Sequence, residues 1–359
     1  MGYVLFYIIL GMIIPIALSV KTHKKIVLLK YRWSFPVILA FTIVVIVRAL
    51  AYDTGADYLV YYENYLYNGD TAWGQNREIG FKWLNSILHV FSGSPQLFFA
   101  FAAFIYMYAI LMVSQLYGKA DKWIVFFWSV ILFVLSYNLY RQYFSLSFIL
   151  LGYYWFQKRV YILTYLFCIL AVLFHTSAIV GLIIISGIYF IRNKIIDRKY
   201  LLIILIISTV LSDTILSSVL ASFSFVSDLY AQETGKLYSS AEMLDSLYTK
   251  SILTYPTMFA HMILIWYGDK LVDEMPEYRF IFYLFSFAVI IDPLTNQEIL
   301  MRIRLYIAIF IPLVLGLVGY RYNKIYRYPI LWCAILFLIV KFVFTLNSLG
   351  MDYPLQFKI

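Results

Sequence analysis

The chain reads as an all-α polytopic membrane bundle of about twelve transmembrane helices. Three observations predict this. Of its 359 residues, 63% are hydrophobic and only 13% are charged, which is not the balance of a soluble domain of this length. The apolar residues gather into successive runs, most of them near the roughly 17–25 residues that a helix needs to cross a bilayer. The basic residues collect in alternate linkers, as the positive-inside rule requires.

The runs lie, in order, near 3–20, 33–52, 95–117, 122–138, 143–157, 160–173, 176–191, 200–218, 252–267, 280–291, 299–320 and 328–346. No basic residue precedes the first run and no small-residue cleavage motif follows it, so it is expected to be a retained span. Six linkers then carry the positive charge. They contain Lys21, Lys24, Lys25, Lys30 and Arg32; Lys119 and Lys122; Lys158 and Arg159; Arg192, Lys194, Arg198 and Lys199; Lys270 and Arg279; and Arg321, Lys324 and Arg327. They hold 18 of the 28 Lys and Arg residues. With twelve spans and an outside N-terminus, all six fall on the inner side. The outer side receives residues 53–94, 139–142, 174–175, 219–251, 292–298 and the C-terminal tail. A single transmembrane domain, 1–359, accounts for the chain.

Two outer segments are long. In 53–94, the stretch Ile79–Phe91 sets Lys82, Asn85, Ser86 and His89 at helical spacing among apolar residues. That predicts an amphipathic helix lying on the membrane or dipping into it. If it crossed fully, every later linker would change sides and the charge pattern would fail. Residues 219–251 contain Ser239-x-x-Glu242, a capping-box signature, and are expected to form a lid over a membrane site.

Composition also narrows the function. A net charge of +9 would suit nucleic acid, but the basic residues sit in short linkers, so no nucleic-acid partner is expected. The aromatic fraction is 20%, enough for interfacial belts and for stacking on sugar rings. Cys168 and Cys333 fall within apolar runs and read as core residues, with no disulfide or redox role. No HxxxH, CxxC or DxD pattern lies on the outer side, and no GxSxG or Gly-rich phosphate loop occurs. No metal, nucleotide site or other cofactor is expected.

The residues that could carry chemistry lie at the ends of the outer turns. Phe174-His175-Thr176-Ser177-Ala178 places an imidazole between two apolar arms, where ionisable groups rarely stand without a use. A neutral imidazole can take a proton from a hydroxyl near pH 7; the structural alternative is a hydrogen-bonded turn. Arg141, followed by Gln142, occupies a tight turn between two spans. It either snorkels to headgroups or binds phosphate oxygens with its planar fork. Arg302 and Arg304 open a late span two residues apart, so they do not share a helix face. Burying them implies an anionic ligand or a carboxylate partner. Arg48 lies in the outer turns of the second span and raises the same question. Asp57 follows Gly55, which allows a turn back toward the bundle; otherwise it is an ordinary loop acid. Glu78 heads the amphipathic helix, where favourable interaction with the helix dipole could alone explain it. His175, Asp57 and Glu78 are therefore the candidate bases. Together these groups suit phosphate chemistry on a lipid carrier at the outer membrane face.

Five motifs, in order over roughly residues 45–310, resemble the EpsG family of exopolysaccharide proteins. They are Arg48 with Gly55-Ala56-Asp57-Tyr58 and Tyr61; Glu78-Ile79-Gly80-Phe81-x-x-Leu84; Arg141-Gln142-x-x-x-x-Ser147; Phe174-His175-Thr176-Ser177-Ala178; and Arg302 or Arg304 with Tyr306. Ala56, Ile79 and Tyr143-Phe144 depart from the usual residues of that pattern. The resemblance implies a Wzy-type polymerase of surface glycans, with an arrangement like the GT-C glycosyltransferases. Such a protein sits in the bacterial inner membrane and moves a growing glycan from undecaprenyl diphosphate to the sugar end of an incoming lipid-linked repeat. The expected binding residues are then Arg48, Tyr58, Arg141, Gln142, Arg302, Arg304 and Tyr306. The expected partners are the lipid-linked oligosaccharide, membrane lipids and a chain-length regulator protein. The alternatives are a glycan ligase, a membrane O-acyltransferase using His175, and a non-enzymatic lipid-oligosaccharide flippase.

Overall fold

A computed structural model describes residues 2–22, 26–28, 31–55, 57–71, 74, 77–137, 139–212, 214, 252–294 and 298–348. The expected lid at 219–251 and its capping box lie outside these residues. The chain divides into two compact units. The first holds Met1–Ile179, Leu315–Asn323 and Ile339–Ile359; the second holds Val180–Val314 and Lys324–Leu338.

In the first unit, α1 (Gly2–Ser19) packs on α2 (Phe35–Leu50) and α6 (Asp121–Ile131). Ser34 precedes α2, and Pro36 falls in its first turn, where a missing N–H costs nothing. A short antiparallel hairpin, β1 (Ile26–Leu28) with β2 (Tyr31–Trp33), fills the basic linker between α1 and α2. After α2 comes α3 (Tyr58–Leu66), a helix that the apolar-run count does not reveal because it is too short to be a span. The helix α4 (Ile79–Phe91) occupies the interval expected for the amphipathic helix.

The facing of α4 differs from a simple polar and apolar split. Phe81, Leu84, Leu88 and Asn85 are buried, whereas Ile79, Trp83, Ile87 and Val90 are exposed. The helix packs against α5 (Pro95–Ser114) and α8 (Tyr161–Phe174), so one of its two apolar faces is taken by protein. Asn85 falls between Phe81 and Leu88 on that face by helical spacing and is buried with them.

The 3-10 turn Gln115–Ala120 joins α5 to α6, and Gly118 within it adopts φ 57 and ψ −116. Taken together, Pro95–Ile131 is the one run among the described residues long and apolar enough to cross a membrane. The bent pair Met301–Ala308 with Ile311–Arg321 would be a second; α2, α8 and several other apolar helices are shorter. The run expected at 122–138 leaves the α ladder at Ile131 and continues as the 3-10 turn Val134–Tyr137 before α7 (Tyr140–Gln157). Small residues let α7 and α8 close into a hairpin. Ser145 Oγ donates to the Ala171 carbonyl at 2.8 Å, and Gly152 faces Thr164 and Phe167.

The second unit contains most of α9 (Ala178–Ile191), then α10 (Arg198–Val210), α11 (Thr254–Glu274), α12 (Arg279–Ile290) and α13 (Glu298–Ala308). Asp197 caps α10 by accepting from the Lys199 N–H at 2.9 Å. Here α10 packs on α11 and α12, and α12 on α13. The run expected at 299–320 is two helices, α13 and α14 (Ile311–Arg321), bent by 41°. Pro312 explains the break, because it cannot donate to the Ala308 carbonyl one turn earlier. The last helix is α15 (Pro329–Ser348). The cysteines are not core residues: Cys333 is exposed on α15 and Cys168 is half-buried on α8, both as free thiols. An apolar run has an outer face as well as an inner one, and composition does not say which a cysteine takes.

Gly118 takes a positive φ that disfavours any side chain, and no other atom lies within 4 Å of where its Cβ would be, so a substitution there meets backbone strain and no clash. Gly118→Ala should lower stability by about 1–3 kcal/mol through backbone strain alone. Thermal unfolding in detergent, with the exposed Lys119→Ala as control, checks this.

Candidate functional site

Glu78 stands immediately before α4 in an extended conformation, and its side chain makes no cap hydrogen bond to its own helix. It reaches instead to two other segments. Its Oε2 accepts from Nη1 of Arg141, in the first turn of α7. Its Oε1 lies 3.5 Å from Nδ1 of His175, the residue that ends α8. The side chains of Arg141, Glu78 and His175 are only 9%, 10% and 4% exposed.

Local sequence explains the meeting. A Cβ on Gly80 would stand 2.7 Å from the Leu173 carbonyl oxygen, so only glycine lets the start of α4 lie on the end of α8. The His175 N–H completes α8 by bonding the Ala171 carbonyl at 3.1 Å, and its backbone then turns extended. Ser177 Oγ approaches His175 Nδ1 at 3.3 Å, beside the Glu78 carboxylate.

Tyr61 closes the other side. Its hydroxyl oxygen accepts from the Arg141 backbone N–H at 3.5 Å. Its ring lies parallel to that of Phe98 at 6.0 Å and meets Tyr140 at 5.0 Å and Phe81 at 5.7 Å. Burial raises the Tyr61 phenol above its ordinary value, opposed by the Arg141 guanidinium and assisted by Asp57. The phenol is therefore neutral at physiological pH. Asp57 precedes α3, and its carbonyl accepts the Tyr61 N–H at 3.2 Å. The sequence pattern includes Tyr61 but gives no reason to assign it a role.

The remaining candidates stand as follows. Gln142 is buried beside Arg141 in α7. Tyr58 is buried with its ring stacked on Phe99 at 4.5 Å, and its hydroxyl has no hydrogen-bond partner among the described residues. Arg48 is buried against Ser136 and Tyr137. In the second unit, Arg304 Nη2 lies 2.6 Å from Asp292 Oδ1, and its Nε donates to the Ala288 carbonyl at 3.0 Å. Arg302 is half-buried. Tyr306 is fully buried, and a Cβ on Gly181 of α9 would come within 2.4 Å of it. Asp292 was not among the candidates, although it ends an apolar run just as Arg302 and Arg304 begin one. Among the described residues, no three His, Cys, Asp or Glu side chains gather as a metal ion would need.

Chemically, the first unit thus brings a guanidinium, a carboxylate and an imidazole together out of water, with the carboxylate between them. Removing the middle group strands a buried charge. Glu78→Ala should destabilise the protein by about 3–5 kcal/mol, and Arg141→Met added to it should recover part of that loss. Thermal unfolding of the two single variants and the double variant measures the coupling.

No curated protein and no solved structure matches this chain. Residues 34–356 match the EpsG family. That span includes every residue of the Glu78, Arg141 and His175 cluster and the late Arg302, Arg304 and Tyr306 element, and the chain belongs to the EpsG family.

Proposed function

We propose that this protein polymerises lipid-linked oligosaccharide repeats, transferring the growing glycan from undecaprenyl diphosphate to the sugar end of an incoming repeat. Membership of the EpsG family supports a polysaccharide-polymerase-type role at a membrane. The observation that carries the finer reading is the Glu78 carboxylate shared between Arg141 and His175. It sets a phosphate-binding group beside an acid–base group, as glycosyl transfer from a diphosphate requires.

In this reading Glu78 holds the His175 proton on Nδ1, so Nε2 presents the lone pair. Nε2 takes the proton from the acceptor hydroxyl as that oxygen attacks the anomeric carbon of the donor sugar. The bond from that carbon to the diphosphate oxygen breaks, and its electrons leave on the lipid diphosphate. Arg141 binds the departing phosphate bidentately, and Glu78 stabilises the imidazolium that has formed. Asp57 acts on the same cluster through Tyr61. Arg302, Arg304 and Tyr306 belong to the second unit, and the scheme does not depend on them.

The membrane arrangement proposed with it has twelve spans, with His175 facing the outside of the bacterial inner membrane. A flippase would carry lipid-linked oligosaccharide without needing a buried His–Glu pair beside an Arg.

Four outcomes are expected. In vesicles holding the purified protein and lipid-linked repeat alone, longer lipid-linked chains should appear with release of undecaprenyl diphosphate. Substrate movement without elongation would show a flippase instead. His175→Ala should slow elongation by about 100- to 10,000-fold with donor binding largely kept. Arg141→Lys should weaken donor binding, because Lys lacks the planar fork; unchanged binding would remove the clamp from the scheme. A single cysteine at position 236 should be labelled only from outside the cell, and labelling only from the cytoplasm would overturn the twelve-span arrangement.

A further inference from the structure

The 3-10 interval between α6 and α7 is held by a residue from a third helix. Arg48, in the last turn of α2, is 2% exposed. Its two Nη atoms both donate to Ser136, one to the hydroxyl and one to the backbone carbonyl. Its ζ carbon lies 4.0 Å from the centroid of the Tyr137 ring, 5.4 Å from Tyr140 and 5.8 Å from Phe133. Among the described residues, no carboxylate lies within ion-pair distance of it. The charge is compensated by ring faces and by the negative end of the α2 dipole.

These contacts fall where the main chain leaves the α ladder. The Leu132 and Phe133 N–H groups share the Trp128 carbonyl at 3.0 Å each, and Ser136 Oγ donates to the Phe133 carbonyl. A break between helices leaves carbonyls without helical partners, and a guanidinium fork can satisfy one of them together with a neighbouring hydroxyl. The next helix begins at Tyr140, whose ring lies beneath Arg48 and against Tyr61; Arg141 follows it.

We propose that Arg48 is a positioning residue: it fixes the break at 132–137 so that α7 starts where Arg141 meets Glu78, and it does not itself bind the anionic substrate. The catalytic half of this inference rests on the function proposed above; the positional half does not. Both Nη atoms are already engaged, and a ligand role would require them to leave Ser136.

The test is a double-mutant cycle in the full-length protein. Arg48→Lys should lower kcat/KM for the lipid-linked donor by about tenfold or more, chiefly through KM, as Arg141→Lys does. In the Arg141→Lys background, Arg48→Lys should add little, because it acts through the group already lost. Multiplying effects would make Arg48 an independent ligand and overturn the proposal. Amide hydrogen exchange gives the readout that needs no activity. Arg48→Lys should speed exchange at residues 132–145 while α5 keeps its protection, and unchanged exchange there would sink the proposal. If Arg48→Lys does not fold, Ser136→Ala should give the same local pattern in milder form. If Arg141→Lys has no effect on donor affinity, the phosphate clamp fails, and the exchange result still decides the positioning role.

Discussion

The first unit depends on one carboxylate. Glu78 touches Arg141 and His175, so a single side chain ties the start of α4 to the start of α7 and the end of α8. None of the three groups is more than 10% exposed. At such burial a charge without its partner is strongly destabilising, so the three must assemble together. Gly80 sets how near α4 comes to α8, and that distance decides whether Glu78 reaches the imidazole at all.

Rings surround the cluster. Tyr61, Phe81, Phe98, Tyr140, Phe144 and Phe174 pack against one another in edge-on, tilted and, for Tyr61 with Phe98, parallel pairs. Such pairs exclude water, and the local dielectric falls. The interactions of Arg141 with Glu78 and Tyr61 are strengthened by the same exclusion. Much of the high aromatic content is thus spent on packing around polar groups, and not only on membrane interfaces. Tyr58 illustrates this, since its ring face is occupied by Phe99.

The second unit handles its charges differently. Arg304 meets Asp292 at a half-exposed position, and Arg198 pairs with Asp269 at 3.5 Å while lying 3.9 Å from the Trp266 ring centroid. These pairs are better solvated than the Glu78 cluster, so each holds helices together at lower cost in desolvation. Pro312 bends the chain just after Tyr306, whose ring lies against Gly181. In both units a break in helical hydrogen bonding falls within one or two turns of a candidate arginine.

The sequence by itself determined the all-helical class, the places of most helices and the candidate polar residues. Apolar runs and basic linkers record local hydrophobic and charge constraints, and these survive without knowledge of partners. It also placed Glu78, Arg141 and His175 at segment ends, where polar groups in an apolar chain can be satisfied. Only the tertiary structure decided which of them meet. Asn85 turned inward because α4 has two apolar faces and protein takes one of them. Arg48 reached Ser136, and Arg304 found Asp292, because a guanidinium takes whichever acceptor the packing brings within range. Such pairings join residues far apart in the chain, and no local pattern encodes them.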